Sequence, residues 1–255
     1  METFKDKVIL ITGGSSGLGA ATALRFARDG AKVAIGARRA EQSEAVVRQI
    51  EGLGGHGVFI RADVSRREDV EALVAETVAY FGRLDCAVNN AGITGPVLTP
   101  IADIEPDAWD ETLRVNLTAV SLGMKYQIPA MLKNGGGAIV NVASIYGQKP
   151  SNIGHTPYCV SKFGVIGLSA AIDYGQQGIR VNAVCPGYAH SEMVDPYLRD
   201  EPELMTTIIE QYSAFGRVGE SDEVADAIAF LCSRSARFIN GAELVVDGGD
   251  RVRAY

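Results

Sequence analysis

The run Val8-Ile9-Leu10-Ile11 passes directly into Thr12-Gly13-Gly14-Ser15-Ser16-Gly17-Leu18-Gly19, and an apolar-periodic segment starts at Leu18. A strand that feeds a glycine-rich turn and then a helix leaves few folds open. The helix start offers backbone N–H groups and the positive end of its dipole to whatever sits on the loop, which suits phosphate. Gly13 allows the tight turn, Gly17 lets backbone approach a pyrophosphate, and Gly19 lets the helix pack closely on the strand. The pattern TGxxxGxG would arise by chance about 0.02 times in a chain of this composition, so a bare turn is a weak reading beside dinucleotide binding. The glycines are more widely spaced than in the G-x-G-x-x-G fingerprint.

The same alternation continues along the chain. Strand-like runs fall at Val8–Ile11, Lys32–Ile35, Gly57–Ile60, Leu84–Val88, Ala138–Val142, Arg180–Val184 and Glu243–Val246. They are rich in Val and Ile and alternate little, as expected of strands buried on both faces. Helical patterns lie between them at Leu18–Arg28, Ala40–Glu51, Arg66–Phe81, Pro106–Lys133, Thr156–Tyr174 and Ser221–Cys232. This order predicts an α/β protein, a Rossmann-type doubly wound parallel sheet of about seven strands with helices on both faces. With no linker or internal repeat, residues 1–255 read as a single dinucleotide-binding domain. The irregular stretch 188–216, with Pro196, Pro202 and one short helix, stands apart.

Composition narrows the function classes. A net charge of −7 argues against a nucleic-acid partner and against a polybasic membrane-surface protein. The N-terminal charges are followed at once by only four apolar residues, too few for a signal-peptide core or a membrane span, so a cytoplasmic protein is expected. Cys86, Cys159, Cys185 and Cys232 are far apart and read as reduced thiols, and three His residues without ligand spacing give no metal site.

Further motifs follow in order: Asn89-Asn90-Ala91-Gly92, Asn116, Ser144, Tyr158 with Lys162, and Pro186-Gly187. Tyr158 and Lys162, at i and i+4, share one face of a helix. Alone, Y-x-x-x-K would arise by chance roughly 0.25 times in such a chain. Together with the phosphate loop, the set resembles the short-chain dehydrogenase/reductase family in its single-domain form, over essentially the whole chain. That resemblance implies a nicotinamide cofactor and a small-molecule carbonyl or alcohol substrate. It implies Tyr158 as general acid in ketone reduction and general base in alcohol oxidation, and Ser144 as hydrogen-bond partner of the substrate oxygen. Lys162 would hold the nicotinamide ribose and, with the oxidised nicotinamide, lower the phenol pKa. The backbone of Asn116 would bind a water that relays protons to Lys162.

The end of the second strand reads Ala37-Arg38-Arg39. By family alignment Ala37 replaces the carboxylate that would hold the adenosine ribose hydroxyls, and Arg38 can pair with a 2′-phosphate. Arg39, Ser15 and Ser16 lie close by in this reading. NADP(H) is therefore preferred over NAD(H); two solvated arginines are the plain alternative. Leu18 completes the phosphate loop. The resemblance also places Asp63 and Val64 near the adenine, Asn90 and Gly92 near the nicotinamide-side ribose, and Pro186, Gly187, Ala189 and Ser191 near the carboxamide. Asp63 reads equally well as a helix cap.

Ile145–Pro157 is one residue longer than the corresponding loop of many relatives. Tyr146 and His155 in this loop, with Tyr188, are candidates for the substrate pocket, although a lone loop histidine is more often a surface residue. Residues 188–216 would form a substrate lid carrying Glu192, Asp195, Asp200, Glu201, Glu203 and Glu210 against Arg199. Such a lid disfavours strongly anionic substrates. Two other functions remain open. A 3-oxoacyl-carrier-protein reductase would need basic docking residues, which Asp173-Tyr174-Gly175-Gln176-Gln177 lacks. A non-catalytic cofactor-binding protein would be expected to lack Ser144, Tyr158 or Lys162. The resemblance further implies a homo-oligomer, tetramer or dimer, which light scattering on the purified protein tests.

Overall fold

Residues 4–149, 151, 154–170 and 173–252 are described in the computed structural model. Seven strands form one parallel sheet: β1 Val8–Thr12, β2 Lys32–Ala37, β3 His56–Arg61, β4 Cys86–Asn89, β5 Gly137–Val142, β6 Ile179–Pro186 and β7 Glu243–Val246. Their order across the sheet is β3-β2-β1-β4-β5-β6-β7. The order reverses between β1 and β4, and the crevice beyond the carboxyl ends of strands at such a switch point is where α/β sheets bind ligands.

Side chains of β1 leave the sheet alternately. Val8 and Leu10 enter one core and Ile9 and Ile11 the other. Both faces are covered, so the strand is apolar throughout rather than alternating with polar residues. Helices α1 Gly17–Arg28, α2 Ala40–Gly52 and α9 Ser221–Cys232 close the core of Ile9 and Ile11 with Phe26, Ile50 and Ile228. On the opposite face lie α3 Arg67–Phe81, α5 Ala119–Leu132 and α6 Thr156–Ser169, which contribute Leu73, Met124, Met131 and Val165. Burying each large aliphatic chain here contributes about 1.5–3 kcal/mol of transfer free energy.

The structure departs from the sequence reading at four places. The fourth strand begins at Cys86 rather than Leu84, and Asp85 just before it still bonds the flanking chain through its main chain, to the Val8 carbonyl at 3.0 Å and the Ala138 amide at 3.1 Å. Its carboxylate accepts the Val8 amide at 3.0 Å, Lys7 Nζ at 3.0 Å and the Arg83 guanidinium at 2.6 and 2.8 Å. The long segment Pro106–Lys133 is not one uniform helix. It comprises α4 Pro106–Leu113, a π turn at Arg114–Thr118, and α5.

Helix α6 ends at Ser169, short of Tyr174. The Ser169 hydroxyl donates to the Val165 carbonyl at 2.8 Å and accepts the Asn141 amide at 3.0 Å, which pins this end of the helix to β5. Residues 171 and 172 of the expected segment lie outside the described residues. The irregular stretch holds two helices, α7 Asp195–Asp200 and α8 Pro202–Tyr212, each with proline in its first turn, where the missing N–H costs nothing.

Among the described residues no helix is long and apolar enough to cross a membrane, and no group of three or more His, Cys, Asp or Glu could hold a metal ion. Cys86, Cys159, Cys185 and Cys232 are free thiols.

Candidate active site

A cavity of about 710 Å³ opens at the carboxyl ends of β1, β2, β4, β5 and β6. Every residue singled out above for cofactor or substrate lines it: Gly13, Ser15, Ser16, Gly17, Leu18, Gly19, Arg38, Arg39, Asp63, Val64, Asn90, Gly92, Ser144, Tyr146, His155, Tyr158, Lys162, Pro186, Gly187, Tyr188, Ala189 and Ser191. Asn116 does not line it and stands behind the wall.

At one end is the phosphate loop. Gly13 has φ 68° and Gly17 φ 50°, both in the left-handed region that favours glycine. A Cβ on Gly19 would lie 2.2 Å from the Gly13 carbonyl oxygen and 2.6 Å from Asn90 Nδ2, so only glycine fits where helix meets turn. Ser16 is the N-cap of α1, yet its side chain caps no helix N–H. The first-turn amides are left without a side-chain acceptor, and this cradle fits the pyrophosphate of a dinucleotide. Asn90 braces the loop: its side-chain amide donates to the carbonyls of Thr12 and Gly13 at 3.0 and 3.2 Å.

At the adenosine end the two arginines behave differently. Arg38 is two-thirds exposed, with Nη1 4.0 Å from the Asp63 carboxylate. Arg39 Nη2 donates to Ser15 Oγ at 2.9 Å and Ser16 Oγ at 2.7 Å, and its guanidinium pairs with Glu192. Asp63 does not cap α3. It accepts the backbone and hydroxyl of Ser65 at 3.0 and 2.8 Å in a local turn.

At the other end, Ser144 follows β5 and Tyr158 and Lys162 project from α6. Tyr158 lies within hydrogen-bond reach of Ser144, and burial raises its phenol to about 12, with the Ser144 contact opposing the rise. Lys162 is 4% exposed, and burial lowers its ammonium to about 8. Its Nζ donates to the Val142 carbonyl at 2.8 Å and stands 5.5 Å from the centre of the Tyr158 ring. The expected lowering of the phenol pKa is therefore not supplied by Lys162 alone: the ammonium is directed at a main-chain carbonyl, and burial of the phenol dominates. A Cβ on Gly92 would come within 3.6 Å of Lys162 Nζ and 3.3 Å of Asn116 Oδ1.

Asn116 sits in the π turn. Its side chain accepts the Ile93 amide at 2.8 Å and donates to the Ile93 carbonyl at 2.9 Å and to Ser161 Oγ at 3.2 Å. Ser161 in turn donates to the Tyr158 carbonyl at 2.6 Å. The side chain thus ties α6 to the loop after β4, and the π turn disturbs the carbonyl array where a backbone-bound water would sit.

His155 is buried rather than a surface loop residue. It stacks on Tyr158 with centroids 5.2 Å apart and meets Tyr146 edge-on at 4.7 Å. Burial keeps it neutral, with a pKa of about 4. The Tyr146 and Tyr188 hydroxyls are hydrogen-bonded at 2.6 Å, joining the loop after β5 to the base of the lid.

Sequence reasoning missed Met193, Val194, Tyr197 and Met205, which with Glu201 also face the cavity from the lid. The spacing of residues 193, 194, 197 and 201 is helical and was the available signal. Of the lid acids, only Glu192 and Glu201 line the cavity. Asp200 is paired with Arg199 at 2.7 Å and Asp195 with His190 at 2.8 Å, so less of the lid charge faces a substrate than its composition suggested.

Comparison with known proteins shows the family and the fold. The family model described as enoyl-(acyl carrier protein) reductase matches residues 13–250. The chain belongs to the short-chain dehydrogenase/reductase family. It is 40% identical over 248 residues to a cyclohexanol dehydrogenase of Acinetobacter sp. (strain SE19), covering 96% of this chain and 95% of that one. It is 41% identical over 250 residues to cis-4-hydroxycyclohexanecarboxylate dehydrogenase of Sinomonas cyclohexanicum, covering 97% and 98%. The crystal structure of levodione reductase superposes with a TM-score of 0.93 at 35% identity, covering 98% of this chain and all of that one. As a short-chain dehydrogenase/reductase with a Rossmann-like sheet, the protein is an oxidoreductase whose fold implies nicotinamide-cofactor binding.

Proposed function

We propose that this protein is an NADP(H)-dependent alcohol dehydrogenase/ketoreductase acting on a secondary alcohol or ketone carried on a small ring. The observation that carries this reading is the shared cavity: Ser144, Tyr158 and Lys162 at one end, the phosphate loop with Arg38 and Arg39 at the other. Two relatives named for hydroxylated cyclohexane rings support the ring.

The nicotinamide, when bound, supplies or accepts the hydride at the carbinol carbon. The protein handles the oxygen and its proton. In reduction, Ser144 donates a hydrogen bond to the carbonyl oxygen as negative charge grows there, and the Tyr158 phenol gives its proton to that oxygen. Oxidation runs the same path backwards, with phenolate as the base. Lys162 holds the ribose hydroxyls and supplies positive charge close to the phenol. The aromatic wall of His155, Tyr146 and Tyr188 shapes an apolar chamber with a polar edge. A carrier-protein substrate finds no basic residue in the segment 173–177 to dock on.

Initial rates with cyclic ketones and alcohols, measured with both cofactors, test this reading. NADPH is expected to exceed NADH in kcat/KM by about tenfold or more, since a guanidinium adds charge-assisted hydrogen bonds only to the phosphorylated ribose. A clear NADH preference contradicts the cofactor assignment. With Glu201 on the cavity wall, cyclohexanone should turn over faster than 4-oxocyclohexanecarboxylate. The reverse order removes the proposed effect of lid charge.

A further inference from the structure

The lid places its own carboxylate at the adenosine end of the cavity. Glu192 Oε1 accepts Arg39 Nη1 at 3.0 Å, and Glu192 Oε2 lies 2.8 Å from Arg39 Nη2. The same Nη2 reaches Ser15 Oγ and Ser16 Oγ at 2.9 and 2.7 Å, and Ser16 also bonds Glu192. One guanidinium fork and the Ser16 hydroxyl thus gather around a single anion supplied by the chain, with Ser15 holding the guanidinium. A phosphate monoester asks for the same donors: a planar fork for two oxygens and hydroxyls for the rest.

The place is also right. In dinucleotide-binding folds the group that reads the ribose 2′ position lies at the end of the second strand. Ala37 ends β2 here, with Arg38 and Arg39 directly after it. Glu192 and Arg39 are each about half exposed, so the pair is open to exchange. Seated as drawn, the carboxylate leaves a 2′-hydroxyl unopposed. A 2′-phosphate, with nearly two negative charges, meets both a competitor for Arg39 and a like charge beside it.

We propose that Glu192 occupies the 2′-phosphate subsite in place of the ligand and sets the cofactor preference: NADP(H) must displace it from Arg39, whereas NAD(H) need not. This rests on the nicotinamide-cofactor reading but not on which cofactor is preferred, because Glu192 acts on the ratio of the two affinities. It also gives the lid a tether at Ser191-Glu192 that only the phosphorylated cofactor releases. Ser191 already packs over the phosphate loop, 3.2 Å from where a Cβ on Gly17 would stand.

The test is equilibrium binding, read by nucleotide fluorescence for NADPH and NADH and by competition for adenosine 2′,5′-bisphosphate and AMP. Glu192→Gln should tighten NADPH and the bisphosphate about tenfold while leaving NADH and AMP within about twofold. In an Arg39→Gln background most of that gain should vanish, because the two residues act as one unit. Equal tightening of both cofactors, no change, or weaker NADPH binding overturns the proposal. Wild-type protein that binds NADH more tightly than NADPH contradicts the NADP(H) preference, and the change of ratio in Glu192→Gln still supports or overturns the role of Glu192. Wild-type protein that binds neither nucleotide overturns both.

Discussion

Replacing Tyr158 by Phe is expected to lower kcat by about a thousandfold, within the range general acid–base catalysis contributes, while cofactor affinity stays near wild type. In the proposed mechanism the phenol exchanges a proton with the substrate oxygen beside Ser144. Its ring already packs against His155, so Phe fits the same space. The pH dependence carries the sign of the mechanism. Burial sets the phenol at about 12 in the protein alone, so phenolate is scarce at neutral pH. Alcohol oxidation, which needs phenolate, should therefore rise with pH, and ketone reduction, which needs the phenol, should not. Oxidised nicotinamide, when bound, would bring positive charge that lowers the apparent pKa. Rates in both directions between about pH 6 and 10 check this. A Phe variant with near-normal kcat, or oxidation that slows as pH rises through this range, is incompatible with Tyr158 as the proton-transfer group.

Lys162→Met is expected to have the second-largest effect, about a hundredfold loss in kcat/KM with weaker cofactor binding. Here activity and stability should move apart. The ammonium is buried, and desolvation lowers its pKa to about 8, the mark of a charge held at some cost to the fold. A methionine of similar length removes that cost, so Tm should stay level or rise while activity collapses. Thermal melts and cofactor titrations on one preparation separate the two effects. A Tm drop of many degrees with retained turnover would mark Lys162 as a structural residue only.

Much of this was legible because the site is assembled at strand ends. Seven Val- and Ile-rich runs give seven strands, the inner five buried on both faces and the edge strands β3 and β7 only partly buried, and β1 leads into its loop with no intervening residue. Once Val8–Thr12 is central in the sheet, Gly13–Gly19 must stand at the switch point, and Ser144 and Pro186-Gly187 follow at the ends of β5 and β6. What was not legible depends on contacts distant in sequence. The Asp85 carboxylate gathers Lys7 and Val8 from 78 and 77 positions away. The π turn at Arg114–Thr118 has no local signature, since its residues are ordinary helix formers or neutral. The sequence left His155 between pocket and surface, because its burial is set by Tyr146 and Tyr158, which meet it only in the folded loop. The Arg39–Glu192 pair spans 153 positions, and neither side chain advertises the other.

The central claim is that this cavity moves a hydride between a nicotinamide and a carbinol carbon. Its most direct measurement uses NADPH deuterated at both C4 positions of the nicotinamide, incubated with the enzyme and a panel of cyclic ketones. Mass spectrometry of the products should find one deuterium on the carbinol carbon and none elsewhere, with the signal lost in Tyr158→Phe. Alcohol that forms without deuterium at that carbon, or no alcohol from any ketone with either NADPH or NADH deuterated in this way, would contradict it.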